Sequence, residues 1–356
     1  MTSKLDTLCA YAKGKIAVEA LNAQTYISTE NMMPNKGGIV AASSLPSVQY
    51  TQQYLKGDVL VSNIRPYFKK IWMAEYDGGC SNDVLVFRAN SSCDPTFLYY
   101  VLANDVFFDY ATATSKGTKM PRGDKTAIMQ YDVPNYDMDT QLRIGKLLRS
   151  LDDRIATNKK INDNLQQQAQ AIYASMFIDN ADPAWVQGHL SDLITVKYGK
   201  DHKKLADGSY PVYGSGGIMR YVERPLYDKE SVLIPRKGTL NNVMYVNQPF
   251  WSVDTMFYTE MRLPNVAKFV YHFVKAKDLA SMNAGSAVPS MTTDILNAME
   301  VAIPSASALE EFEALVSPIY KAMQENDNQS KTLAKLRDAL LPKLMSGEID
   351  VSAIQL

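Results

Sequence analysis

The chain lacks most of what would mark a secreted, membrane-bound or metal-dependent protein. Its 356 residues include three cysteines (Cys9, Cys80 and Cys93), an odd number with no metal-type spacing, which fits a reduced, cytoplasmic protein. The three histidines, His189, His202 and His272, are equally scattered, so no metal site is expected. No stretch approaches the roughly 18 uninterrupted apolar residues of a membrane helix, so no membrane partner is expected. Met1 to Ile16 has no apolar core of a signal peptide. Charge of one sign is missing too. Lys and Arg number 37 against 38 for Asp and Glu, a net charge of −1. Such a chain does not coat DNA nonspecifically, and any nucleic-acid contact must come from local basic clusters.

Catalytic signatures are also absent. Gly214–Gly217 (GSGG) lacks the Lys-Ser/Thr of a phosphate-binding loop. There is no dinucleotide fingerprint and no Asn/Asp-Pro-Pro-Tyr/Phe tetrapeptide of an amino-methyltransferase. Asp83 and Asp254 occupy matching places in the repeat described next. Neither is followed by the Glu-x-Lys of a nuclease core, so both read as turn acids. No catalytic residue is expected.

The chain does contain an internal repeat. Gly57–Pro66 (GDVLVSNIRP) matches Glu230–Thr239 (ESVLIPRKGT), and Gly79–Phe87 matches Phe250–Tyr258. Phe97–Asp105 matches Phe269–Asp278, and Val133-Pro134 matches Ile303-Pro304. The openings Leu5–Lys15 and Leu190–Lys200 agree as well. Five matches in one order are not chance. Each half reads as a mixed α+β domain. Strands are expected at Val59–Val61, Val84–Phe87, Val232–Ile234 and Thr255–Tyr258, with one buried helix over Thr96–Ala111.

After each domain comes a heptad seam. The first runs Ile144, Leu148, Leu151, Ile155, Asn158, Asn162, Leu165, Ala169, Ile172, Met176. A shift of 168 residues, Ile144 to Phe312, gives Phe312, Val316, Ile319, Met323, Asn326, Ser330, Leu333, Arg337, Leu340, Leu344. Both seams are apolar at the ends and polar at two central positions. Antiparallel pairing with aligned centres sets Asn158 and Asn162 against Asn326 and Ser330. Slipping by a heptad would bury an amide against Leu, at roughly 1–3 kcal/mol. Parallel pairing satisfies the same matches, so the seam alone does not choose. The pairing residues are expected to include Leu151, Ile155, Asn158, Asn162, Leu165, Met323, Asn326, Ser330 and Leu333. Arg337 is the poor match, and its neighbour Leu336 is expected to fill that place. Pro318 should kink the second helix or delay its regular start, and Pro342 should disturb its end.

Basic residues gather in loops. In the first half these supply Arg65, Tyr67, Lys69, Lys70, Lys116, Lys119, Arg122 and Lys125. In the second they supply Lys200, Lys203, Lys204, Tyr213, Ser215, Arg220, Arg236, Lys237, Thr239 and Asn241. Any one such run is an ordinary solvated loop; their recurrence in both halves favours a DNA surface. Lys and Arg hold phosphates, while Arg, Asn and Ser read base edges.

These residues resemble a known family. Gln141–Phe177, containing Leu151-Asp152-Asp153-Arg154-Ile155 and Ile161-Asn162, looks like the central conserved region of type I restriction–modification specificity (S) subunits. Arg154 stands where Lys is commoner. Leu336–Ile349 is similar to the second conserved region. Gly208–Tyr221, Pro235–Thr239 and Pro249–Thr255 resemble one class of target-recognition domain; Gly57–Lys70 and Lys116–Lys125 resemble another.

The resemblance implies an α+β fold in which two globular target-recognition domains alternate with two long helices that pair as an antiparallel coiled coil. The expected boundaries are 1–138 (target-recognition domain 1), 139–178 (central conserved helix), 179–306 (target-recognition domain 2), 307–347 (C-terminal conserved helix) and 348–356 (tail). It further implies a non-catalytic subunit that binds double-stranded DNA, reads a bipartite asymmetric target, and docks two methyltransferase (M) subunits and restriction (R) subunits. No cofactor is expected on this chain; S-adenosylmethionine, ATP and Mg belong to the partners. A helix of about 40 residues spans roughly 60 Å, and half-sites one turn apart lie about 34–36 Å between centres. The rival reading is a protein-only coiled-coil scaffold or toxin-neutralising protein, with no DNA role.

Overall fold

The computed structural model describes residues 2–282 and 290–353. The chain divides into two compact units. One is Met1–Asn158 with Asp327–Leu356, and the other is Lys159–Asn326. Each long helix therefore contributes one part to each unit.

The two units repeat one topology. In the first, a four-stranded sheet has the spatial order Cys9–Tyr11, Val84–Ala89, Val59–Ser62, Ile71–Met73. In the second, the order is Ile194–Tyr198, Met256–Met261, Ser231–Pro235, Met244–Val246. Both sheets have antiparallel neighbours throughout. The central strands read Val-Leu-Val-Ser and Ser-Val-Leu-Ile-Pro and are buried along their length, as β-branched strands covered on both faces should be. A two-stranded ribbon closes each domain, Thr2–Lys4 with Asp132–Pro134 and Val186–His189 with Glu300–Ile303. Each unit also has one parallel pair, Tyr26-Ile27 beside Gly79-Cys80 and Val212-Tyr213 beside Trp251-Ser252.

The expected buried helix over Thr96–Ala111 is two helices, Pro95–Ala103 and Asp105–Ala113. Asn104 breaks them by taking extended backbone (φ −65°, ψ 136°) and capping the second through its side chain to Val106 N–H. The second unit has the counterpart of the first of the pair, the α-helix Ala267–Lys275.

The first long helix spans Met138–Ala174, with Asp137 accepting from Thr140 N–H at its start. The second spans Ala306–Ser346, with Ser305 capping Ala308. It is regular from Ala306, well before Pro318, and runs through Pro342, so neither proline delays or ends it. Both prolines lie on the solvent face. The carbonyls they leave unbonded, of Ala314 and Asp338, can be hydrated. Phe312, Val316 and Tyr320 anchor the turns around Pro318 in the core.

The helices pair antiparallel within each unit. In the first, Leu148 and Ile144 share a core with Leu341 and Leu344, and Asn158 Nδ2 donates to Gln329 Oε1 (2.8 Å) and Ser330 Oγ (3.2 Å). In the second, Ala169 and Tyr173 pack with Phe312 and Val316. There Asn326 Nδ2 donates to Asn162 Oδ1 (2.8 Å), while Asn162 Nδ2 donates to the Met323 carbonyl (3.1 Å). Leu151, Ile155, Leu165, Met323 and Leu333 are half-buried, as a two-helix seam away from the domains requires, whereas Asn158 is buried. Leu336 does not fill the Arg337 position: it is exposed, and Arg337 itself reaches Asp152 (2.5 Å) and Asp338 (2.8 Å).

Polar nodes hold each domain on the helices. Gln141 is buried at the head of the first helix, donating to Ser92 and Tyr136 carbonyls and accepting from Asp94 N–H. Tyr100 donates to Asp152 (2.6 Å), the partner of Arg337. The repeat partner of Tyr100 is His272, which is fully buried. It bonds Gln170 Oε1 through Nδ1 (2.8 Å) and Tyr320 Oη through Nε2 (2.9 Å). A neutral ring that donates from Nδ1 and accepts at Nε2 satisfies both partners, and burial lowers its pKa to about 4.

Two predictions follow from this packing. Asn158→Leu keeps the fold but loosens register; disulfide crosslinks between engineered cysteines at the helix ends then form at several offsets instead of one. His272 disfavours protonation in the folded state. The stability it contributes is complete above pH 6.5 and lost as pH falls toward 4, roughly 3 kcal/mol. Denaturation midpoints across that range should therefore fall less steeply for His272→Leu than for the parent; equal slopes contradict the assignment.

Candidate nucleic-acid interface

In the first unit the two basic loops meet as one surface, Arg65 and Lys119 being 54 residues apart in sequence. Arg122 forms single antiparallel bridges with both Ile64 and Lys116. Gly123 N–H donates to Asn63 O (3.1 Å), Arg65 N–H to Pro121 O (2.8 Å), and the Arg65 guanidinium to Lys119 O (3.3 Å). Tyr67 is exposed, and so is the following Phe68, whose part the basic-cluster pattern did not indicate.

The turn around these aromatics is built in an unusual way. Arg65 and Lys69 have φ of +51° and +52°, and the neighbouring turn holds Asn35 at +55° and Lys36 at +60°. Each such non-glycine residue costs on the order of 1 kcal/mol.

Charge pairing sorts the basic residues. Lys69 and Lys36 share Asp105 (3.1 and 2.8 Å), Lys116 pairs with Asp124 (2.5 Å), and Arg122 with Asp83 (3.2 Å). Lys70 is half-buried, donates to Thr29 O (2.6 Å), and has its pKa lowered by desolvation; it braces the loop. Lys119 and Lys125 are exposed and have no ion pair among the described residues.

The second unit repeats this sorting. Trp251 donates to Lys200 O (2.8 Å), holding the exposed turn of Lys200, Lys203 and Lys204 against its strand. Ser215 O accepts from Asn242 (2.8 Å), and a Cβ on Gly238 (φ +85°) would meet Ser215 Oγ at 2.6 Å. The Tyr213–Gly217 turn and the Arg236–Asn242 loop thus converge, and glycine is required for the approach. Tyr213 Oη accepts from Gln248. The Arg236 guanidinium lies 5.4 Å from the Tyr198 ring centroid. Lys237 bridges Ser290, and Lys237 and Thr239 are exposed. Arg220 is tied to Asp207 (2.8 Å) and Leu205 O. Asn241 donates to Asp278 and accepts from Ala280 N–H, so it caps a turn. Lys200, Lys203, Lys204 and Lys237 have no ion pair among the described residues.

Asp83 is the acid that holds Arg122, and the Asp254 carbonyl accepts from Arg236, so both serve loop geometry. The three cysteines are buried free thiols, each pushed up to about 12 by desolvation, which leaves them unreactive. Among the described residues no group of three or more His, Cys, Asp or Glu could hold a metal ion.

Comparison with known proteins fits both halves. The profile of the type I restriction modification DNA specificity domain matches twice, at residues 1–167 and 184–336. The chain belongs to this family. Among its relatives, the type I restriction enzyme MjaIX specificity subunit of Methanocaldococcus jannaschii is 22% identical over 72% of this chain and 70% of its own length. The HindI specificity subunit of Haemophilus influenzae is 23% identical, covering 91% and 94%. In fold, the chain is similar to the type I restriction–modification S subunit from M. genitalium, with a TM-score of 0.57 at 18% identity, covering 97% and 96%. Its relatives carry the name of specificity subunits, in agreement with a chain that recognises DNA and is not itself an enzyme. The two matched stretches are its DNA specificity domains, and the loops above are their candidate reading surfaces.

Proposed function

We propose that this specificity subunit reads a bipartite, asymmetric DNA target, one half with each domain, and docks two methyltransferase subunits and restriction subunits that carry out the chemistry. The observation that carries this reading is the doubled specificity domain whose basic loops converge within each unit and keep unpaired lysines. The loops differ between the halves, so the half-sites differ. S-adenosylmethionine, ATP and Mg belong to the partner subunits, and the assembly works in the cytoplasm, where the chromosome is. No described helix is long and apolar enough to cross a membrane.

Unpaired lysines suit phosphates, and ion-paired arginines can exchange a carboxylate for DNA at little cost, since surface pairs contribute only about 0–1 kcal/mol. Binding of the chain with its modification subunit to duplexes carrying one intact half-site tests this. Arg122→Ala should weaken binding through the first half-site only, and Lys237→Ala through the second only, each by roughly 1–3 kcal/mol. Unchanged binding in both variants removes these loops from the interface. No sequence-selective, salt-dependent binding at all would leave a protein-only scaffold.

A further inference from the structure

Ion pairs of Lys36 and Lys69 with Asp105 hold the Tyr67-Phe68 turn, but they do not account for its two exposed rings. The left-handed residues Arg65 and Lys69 bracket Pro66–Phe68. The turn is pinned to the second left-handed pair, with Asn35 N–H donating to Phe68 O and Lys36 N–H to Lys69 O, both 2.8 Å. Strain of this kind persists only where the surroundings over-determine it, and it clusters at functional sites. Here it holds two large rings out of the core. Tyr67 and Phe68 are 47% and 39% exposed, with centroids 4.8 Å apart at 57°. Cations frame them: the Arg65 guanidinium lies 6.0 Å and the Lys70 ammonium 5.9 Å from the Phe68 ring centroid. Arg65 also bonds the backbone of the unpaired Lys119.

We infer that Tyr67 and Phe68 form an aromatic wedge that enters a base step of the half-site read by the first domain, with Arg65 and Lys119 on the flanking phosphates. The inference rests on the reading of the chain as a DNA-binding subunit. Its occupant is duplex DNA because the exposed rings are rimmed by positive charge and lie in a DNA specificity domain. Apolar wedges unstack a step and kink the duplex when a rigid scaffold holds them and cations anchor the backbone. The second domain has no counterpart: the repeat partners of Arg65-Pro66-Tyr67-Phe68 are Gly238-Thr239-Leu240-Asn241, in which Leu240 is buried. The deformation is confined to one half of the target.

The test uses the full chain with its modification subunit and target duplexes. 2-Aminopurine is placed in turn at each position of the first half-site except the base that is methylated. The parent should raise fluorescence at one step. Phe68→Ala should abolish that rise and weaken binding at least about tenfold without changing the salt slope. Lys119→Ala should keep the rise and reduce the slope by about 0.9. Phe68→Leu, which keeps an apolar wedge at the same place, should retain at least part of the rise, so a general folding defect at this position cannot produce the loss seen in Phe68→Ala. Selective binding with no rise at any step, or a rise that survives Phe68→Ala or is lost as fully in Phe68→Leu, overturns the wedge and leaves the DNA-binding reading standing. Absence of selective binding by the parent overturns both.

Discussion

The paired amides on the helix seams are the constraint on which the rest depends. Asn158 against Gln329 and Ser330, and Asn162 against Asn326, occur where a two-helix interface is otherwise only half-buried. Apolar contacts there are non-directional and tolerate slippage by a heptad. An amide facing Leu would lose its partners, so the polar layer specifies one register at a cost in stability. Apolar packing is concentrated at the ends, where Leu148 and Leu344, or Tyr173 and Phe312, join the cores of the domains. Register in the middle and adhesion at the ends are thus separate jobs done by different residues.

The repeat kept this architecture while changing its chemistry. One position carries Tyr100 in the first half and His272 in the second. The first is satisfied by Asp152, itself paired with Arg337, and the second by Gln170 and Tyr320. A charged node and a neutral one each join a domain helix to the long helices. The second half adds a buried Lys268 between Glu313 (2.6 Å) and Glu230 (3.3 Å). Divergence is greatest in the loops, where one half has a strained aromatic turn and the other a glycine-dependent approach of Gly238 to Ser215.

Much of this was legible in the sequence because it depends on period and order. Heptads, a repeated apolar strand and a shifted polar pair are one-dimensional signals, and they carried the repeat and the two long helices, while the resemblance of Gln141–Phe177 and Leu336–Ile349 to conserved regions carried the family and the antiparallel pairing. What was not legible depends on solvent exposure and on partners far away in the chain. Pro318 reads as a kink or a delayed start, yet it lies on the exposed face and the helix is already regular from Ala306. Arg337 reads as a seam defect, but its partner Asp152 lies on the other helix. The break at Asn104 hides inside an apolar run. Among the loop residues, spacing could gather the cations but could not separate Lys119, unpaired, from Lys70, which braces Thr29, or Asn241, which caps a turn. Phe68 belonged to the same basic cluster, and only its exposure beside Arg65 and Lys70 marks it.

The central proposal is that one chain carries two different DNA readers, one in each specificity domain. Genome-wide methylation mapping, with and without this gene beside its modification partner, tests it most directly. The account predicts that deletion removes methylation at a single interrupted motif, two dissimilar half-sequences separated by a spacer of constant length. A methylation pattern that is unchanged, or loss at a continuous or symmetric motif, would contradict it.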